Sequence, residues 1–173
     1  MQKFFIGALF VIAGVTAGIW KSEQLRKRHI LLGDMIEGLS FMENEIYYTR
    51  ERLDRIVARV ANMSEGDASQ FFSIFSEMLA DMEEKGAEEL WNLAADRSFC
   101  WPSPLTERDI EAVSVLGKRL GSTDVEGQRQ NIQRTCRELS IRRAEAKIDL
   151  EKKGRLYKTL GAAAGAACAL LII

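Results

Sequence analysis

The sequence is poor in the residues that usually carry chemistry. It holds one histidine, His29, with three cysteines and two prolines among 173 residues. Cys100, Cys136 and Cys168 lie far apart and no Cys-x-x-Cys occurs, so neither a zinc site nor a disulfide framework is implied. A lone histidine in a basic segment is adequately explained by a surface role. A glycine-rich phosphate loop is lacking too: Gly117 stands alone in a helical stretch and Gly121 at its end. Serine, cysteine and lysine show no pattern that marks a nucleophile and its base. Charge of one sign is also missing. Lys and Arg number 24 against 25 Asp and Glu, which gives no reason to expect nucleic acid as a partner. The chain is therefore read as a non-enzyme without metal or cofactor. Strand patterning is absent as well, since Val, Ile and Thr nowhere alternate at period two.

What the sequence has is an uneven distribution of charge. All charged side chains but Lys3 lie between Lys21 and Lys158. The stretch 4–20, FFIGALFVIAGVTAGIW, would rise about 26 Å as a helix, close to the roughly 30 Å of a bilayer's hydrocarbon core. Lys3, Trp20 and Lys21 are placed as interfacial anchors. The other apolar end, Leu160 to Ile173, is shorter, about 21 Å, or about 27 Å from Leu156 if Lys158 snorkels. A stretch of that length also suits a buried C-terminal helix, but it is apolar on every face, which a small core could not easily cover. Both ends carry small-xxx-small pairs, Gly14 with Gly18 and Gly161 with Gly165, which let helices approach closely in lipid. The same spacing also suits self-association into a homo-oligomer. Lys21, Arg26, Lys27 and Arg28 follow the first span, and Lys152, Lys153, Arg155 and Lys158 precede the second. The positive-inside rule then puts the middle in the cytoplasm. The division expected is 1–20 transmembrane, 21–158 a cytoplasmic helical domain, and 159–173 transmembrane. The alternative is a signal peptide: Val15-Thr16-Ala17 resembles a cleavage site, and cleavage after Ala17 would release a secreted helical binding module. The basic cluster beyond Lys21 argues against translocation.

The middle reads as about six helices. Leu25, Leu32, Leu39 and Ile46 recur every seven residues, with Met35 and Met42 three after two of them, an a/d seam. Thr49 is placed as the N-cap of a short helix carrying Leu53, Ile56, Val57 and Val60. Residues 62–69 read as a turn. A third helix holds Phe71, Phe72 and Phe75 and stops at Gly86, and a fourth holds Leu90, Trp91 and Leu93. Both prolines break the chain at 100–105. A fifth helix runs from about Thr106 to Leu120 and stops at Gly121, expected as a left-handed C-cap. The last starts near Asp124 and keeps Ile132, Leu139, Ala146 and Lys153 in register, passing Gly154 into the tail. The first and last helices are expected to pair antiparallel, with the four short ones as a cap. Glu43 and Glu45, two apart on a helix, point to different faces and suit ion pairing rather than acid–base work.

These pieces resemble the stage III sporulation protein AB family of endospore-forming bacteria, over the whole chain. The likeness rests on three stretches. LRKRHILLGDMIEGLSFMENEIYY, 25–48, matches a Leu-rich helix ending in Glu-x-Glu-Ile-x-Tyr, here Glu43, Glu45 and Tyr48. LGKRLGSTDVEGQ, 116–128, matches Leu-Gly-x-x-Leu-Gly-x-x-Asp-x-x-x-Gln, here Gly117, Leu120, Gly121, Asp124 and Gln128. KKGRLYKTLGAAAG, 152–165, matches the Lys-Leu-Tyr-x-x-Leu-Gly entry into the last span, with Tyr157. One departure is Thr49-Arg50, where the family commonly has Thr-Pro. The resemblance implies a non-enzymatic platform in the mother-cell membrane facing the forespore. It would be part of a channel complex whose platform is similar to the F component of type II secretion. The partners implied are the cytoplasmic ATPase of the same operon, the other membrane components and membrane lipid.

Overall fold

The computed structural model describes residues 2–49, 51–81, 85–100, 102–120 and 124–172, leaving out the side chains of 2–7, 10, 169, 171 and 172. Among these residues there are six helices and no strand: α1 Gln2–Thr49, α2 Leu53–Met63, α3 Gly66–Asp81, α4 Ala87–Ser98, α5 Glu107–Gly117 and α6 Val125–Ile172. Helices α1 and α6 each have 48 residues, and each contributes to two compact units. One unit combines Met1–His29 with Ala144–Ile173; the other is Ile30–Arg143.

In the Ile30–Arg143 unit, α2 packs on α3, α3 on α4 and α4 on α5. The aromatic cluster expected of the third helix is the centre of this core. Phe71 lies edge-on to Trp91, with ring centroids 4.7 Å apart, and stacks on Phe99 at 5.3 Å. Burying one such side chain contributes roughly 1.5–3 kcal/mol. The α1 seam is buried at Leu32, Met35, Leu39, Met42 and Ile46, and Ile132 and Leu139 of α6 are fully buried. Trp91 also donates its indole N–H to the Val113 carbonyl at 2.9 Å, so its one polar atom is satisfied in the core.

In the other unit α1 and α6 run antiparallel, since Gly14 faces Gly161 and Gly165 while Gly18 faces Tyr157 and Gly161. Leu25 is half-buried and Ala146 buried, but Lys153, the next position of the seven-residue register, is exposed and Gly154 is buried instead. Here small residues set the helix contact, and the lysine pairs with Asp149 at 2.7 Å.

Several boundaries differ from the sequence reading. Thr49 does not cap α2. It is the last residue of α1, and its hydroxyl donates back to the Glu45 carbonyl at 2.7 Å, a bond open to threonine within a helix. Arg52 occupies the N-cap of α2 without a side-chain cap. The turn at 62–69 shrinks to Ser64 and Glu65, because Gly66, at φ 56°, swings the chain directly into α3. Thr106 does cap α5. The Gly121 cap, with Ser122 and Thr123, lies outside the described residues. Asp124 caps α6, its carboxylate accepting from the Gly127 N–H at 3.0 Å. Among the described residues no helix is long and apolar enough to cross a membrane.

Candidate functional site

Three groups of residues stand out, each on a stretch singled out in the sequence. The first is the glycine contact between α1 and α6. A methyl group on Gly14 would run into the Gly161 carbonyl and come within 3.1 Å of the Gly165 Cα. On Gly18 it would strike the Tyr157 carbonyl. Any side chain at Gly14, Gly18 or Gly161 therefore pushes the helices apart. The structure brings Gly14, Gly18, Gly161, Gly165 and Tyr157 together within one chain. Around them the usual arrangement is reversed. Gly18 and Gly165 are buried, while Leu9, Ile12, Ile19, Trp20, Leu156, Leu160 and Leu170 are exposed, Leu170 by 77%. Towards the other end of this unit, Arg28 is buried to 8% exposure and lies 3.8 Å from Asp149, which also holds Lys153. Two of the basic flanking residues are thus tied to one carboxylate.

The second group explains the Glu-x-Glu-Ile-x-Tyr stretch. Glu43 and Glu45 do lie on different sides of α1, with Ile46 buried between those directions. Glu43 accepts from Gln133 at 2.7 Å and from Arg129 at 3.2 Å, both on α6. Glu45 accepts from Arg59 of α2, whose guanidinium also reaches Glu51 at 2.8 Å. Hydrogen bonds donated to Glu51 and Glu45 hold the Arg59 pKa above its ordinary range. Solvent screens pairs this close to the surface, so their effect is to fix geometry more than stability. Tyr48 is 78% exposed and lies edge-on to Tyr47, whose ring the Arg129 guanidinium covers at 5.2 Å. The sequence pointed to the glutamates, not to Arg59, Arg129 or Gln133. Long-range ion pairs leave no local spacing signal.

The third group centres on Gly117, the last residue of α5. A methyl there would meet Trp91 Cδ1 at 2.5 Å, so the glycine gives the indole its place. Leu120 is buried beyond it. Gln128 donates its backbone N–H to the Asp124 carbonyl at 2.9 Å, closing the first turn of α6. At the start of α5, Thr106 and Asp109 form a reciprocal capping box. Asp109 is fully buried, with Arg142 of α6 at 4.0 Å. The sequence showed Thr106 but not Asp109, although Thr-x-x-Asp is a shortened form of the usual capping pair.

None of these groups has the arrangement of a nucleophile, base and oxyanion donors, and no cluster among the described residues could hold a metal ion. Cys136 is half-buried against Ser40, and burial raises its thiol pKa, which disfavours the reactive thiolate. The fold and its sites define an all-α protein assembled by close helix packing and ion-paired helix joints. A sequence profile of the stage III sporulation protein AB family matches residues 3–173, and the chain belongs to that family. It is 25% identical over 169 residues to stage III sporulation protein AB of Bacillus subtilis (strain 168), covering 97% of this chain and 98% of that one. A solved structure of stage III sporulation protein AB shares the fold, with a TM-score of 0.64 at 22% identity over 71% of this chain and 95% of that one.

Proposed function

We propose that the protein is a non-enzymatic membrane platform of the sporulation channel between mother cell and forespore. In this reading it is held by two spans, with residues 21–158 in the mother-cell cytoplasm. The observation that carries the reading is the reversed packing of α1 on α6, with glycines inside and large apolar side chains outside. In water such a surface is a liability, whereas in lipid it is the expected one. The apolar stretches 4–20 and 159–173 supply the lengths, and the basic residues on their inner flanks supply the orientation. The helical part offers ion-paired joints in place of a reaction centre, as suits a scaffold. Its partners are the cytoplasmic ATPase of the same operon and the other membrane components of the channel. The secreted alternative finds no support in the family membership. The test is co-sedimentation of the purified ATPase with lipid vesicles carrying the full chain. Recovery above that on bare vesicles is expected, and equal recovery on both would reject the reading.

A further inference from the structure

Within the Ile30–Arg143 unit, α1, α2 and the turn before α3 enclose a groove of about 350 Å³. Its walls carry the carboxylates of Asp34 and Glu37 from α1 and Glu65 from the turn. Its apolar lining includes Gly38, Phe41 and Met63, and Met63 is 66% exposed although it is a large apolar residue. Gly38 lets α1 come close to Phe72 and Ser64. A methyl there would fall 2.5 Å from the Phe72 ring and 3.2 Å from the Ser64 hydroxyl. The volume is at the small end of ligand sites, enough for one or two side chains and too little for a whole helix.

Charge decides what fits. Burial, then the neighbouring Glu37, raises the Asp34 pKa; Glu65 and Asp67 add to this, and Arg143 acts against it. Carboxylates crowded around a concave site repel one another, and a cation entering the site relieves that repulsion. A lone hydrated cation would leave the Phe41 and Met63 surfaces uncovered. A basic side chain flanked by an apolar one covers both, because its stem packs on apolar surface while its head stays among the carboxylates.

We propose that this groove is a docking site for a partner-protein segment presenting an Arg or Lys beside an apolar side chain. The inference rests on the platform reading, because it supplies that platform with a partner-facing surface. The acidic walls set the sign of the partner, and Met63, soft and exposed, adapts to its apolar side chain.

Methyl NMR of the full chain in uncharged micelles tests this, with 13C-methyl methionine as reporter and acetyl-Leu-Arg-Leu-amide as probe. Over a millimolar titration the Met63 methyl signal is expected to shift and saturate. The buried Met78 signal is expected to stay in place. Raised salt should weaken the shift, and the D34N/E37Q double variant should weaken binding tenfold or more. Both substitutions remove charge at solvent-accessible positions, and unchanged Met35 and Met42 signals verify that the variant is folded. The inference is overturned if Met63 does not respond or responds equally to acetyl-Leu-Glu-Leu-amide. It is overturned equally if the double variant binds as the parent does, or if Met63 shifts on simple dilution, which would mark a second copy as the occupant. None of these outcomes bears on membrane anchoring, which is tested separately by extraction.

Discussion

Gly117 has no side chain because Trp91 fills the space one would need. Gly117→Val should force the indole off its rotamer or break its bond to the Val113 carbonyl. The cost expected is about 1–3 kcal/mol, seen as a lowered midpoint in chemical unfolding of the full chain followed by circular dichroism. Asp34 makes a second prediction, and its sign follows from the raised pKa. Its folded-state pKa lies above the unfolded value, near 3.8, so folding favours the protonated form. That contribution is fully present below about pH 3.8 and is lost as pH rises through the folded-state pKa. Asp34→Asn, which mimics the neutral form, should therefore raise the thermal midpoint at pH 7 and leave it nearly unchanged near pH 3. A shift of equal size at both pH values would contradict this. At this scale the sequence was legible where the signal is local. The helix starts read near Thr106 and Asp124 are where these two residues cap α5 and α6. Thr49 was misread because its hydroxyl turns back into its own helix, and Asp109 was overlooked because the usual capping pair carries Glu or Gln at that position.

Helices were legible wherever hydrophobic periodicity was long. Leu32, Met35, Leu39 and Met42 lie on the buried side of α1, and Ile132 and Leu139 on that of α6, as the seven-residue spacing implies. The spacing failed at Lys153 because glycine spacing, not an a/d seam, governs the contact there. The sequence could show that Gly14, Gly18, Gly161 and Gly165 suit a close approach, but not which helix they approach, since distance along the chain carries no such information. The structure pairs α1 with α6 of the same chain, and a disulfide can check this. A Cβ at Gly154 would stand 3.3 Å from the Ser22 hydroxyl oxygen, so side chains at these two positions meet. With the native cysteines replaced, the S22C/G154C variant should oxidise to an internally bridged monomer of altered mobility on a non-reducing gel. A disulfide-linked dimer as the main product would instead place the contact between chains.

The whole molecule combines two kinds of packing in one chain. The Ile30–Arg143 unit buries aromatic and aliphatic side chains, as a domain in water does. The Met1–His29 and Ala144–Ile173 unit buries glycine and turns leucine, isoleucine and tryptophan outward. The second arrangement cannot gain from apolar burial in water, and gains from close backbone contact when lipid surrounds it. The all-α class and the family were legible in the sequence. The groove was not, because Asp34 and Glu37 of α1 meet Met63 and Glu65 from a distant stretch of the chain, and each alone reads as an ordinary surface residue. The central claim, that the two apolar ends hold the protein in a membrane, is tested most directly by alkaline carbonate extraction of membranes containing the full chain. The full chain should stay in the membrane pellet. Release of the intact chain into the carbonate supernatant would contradict the account.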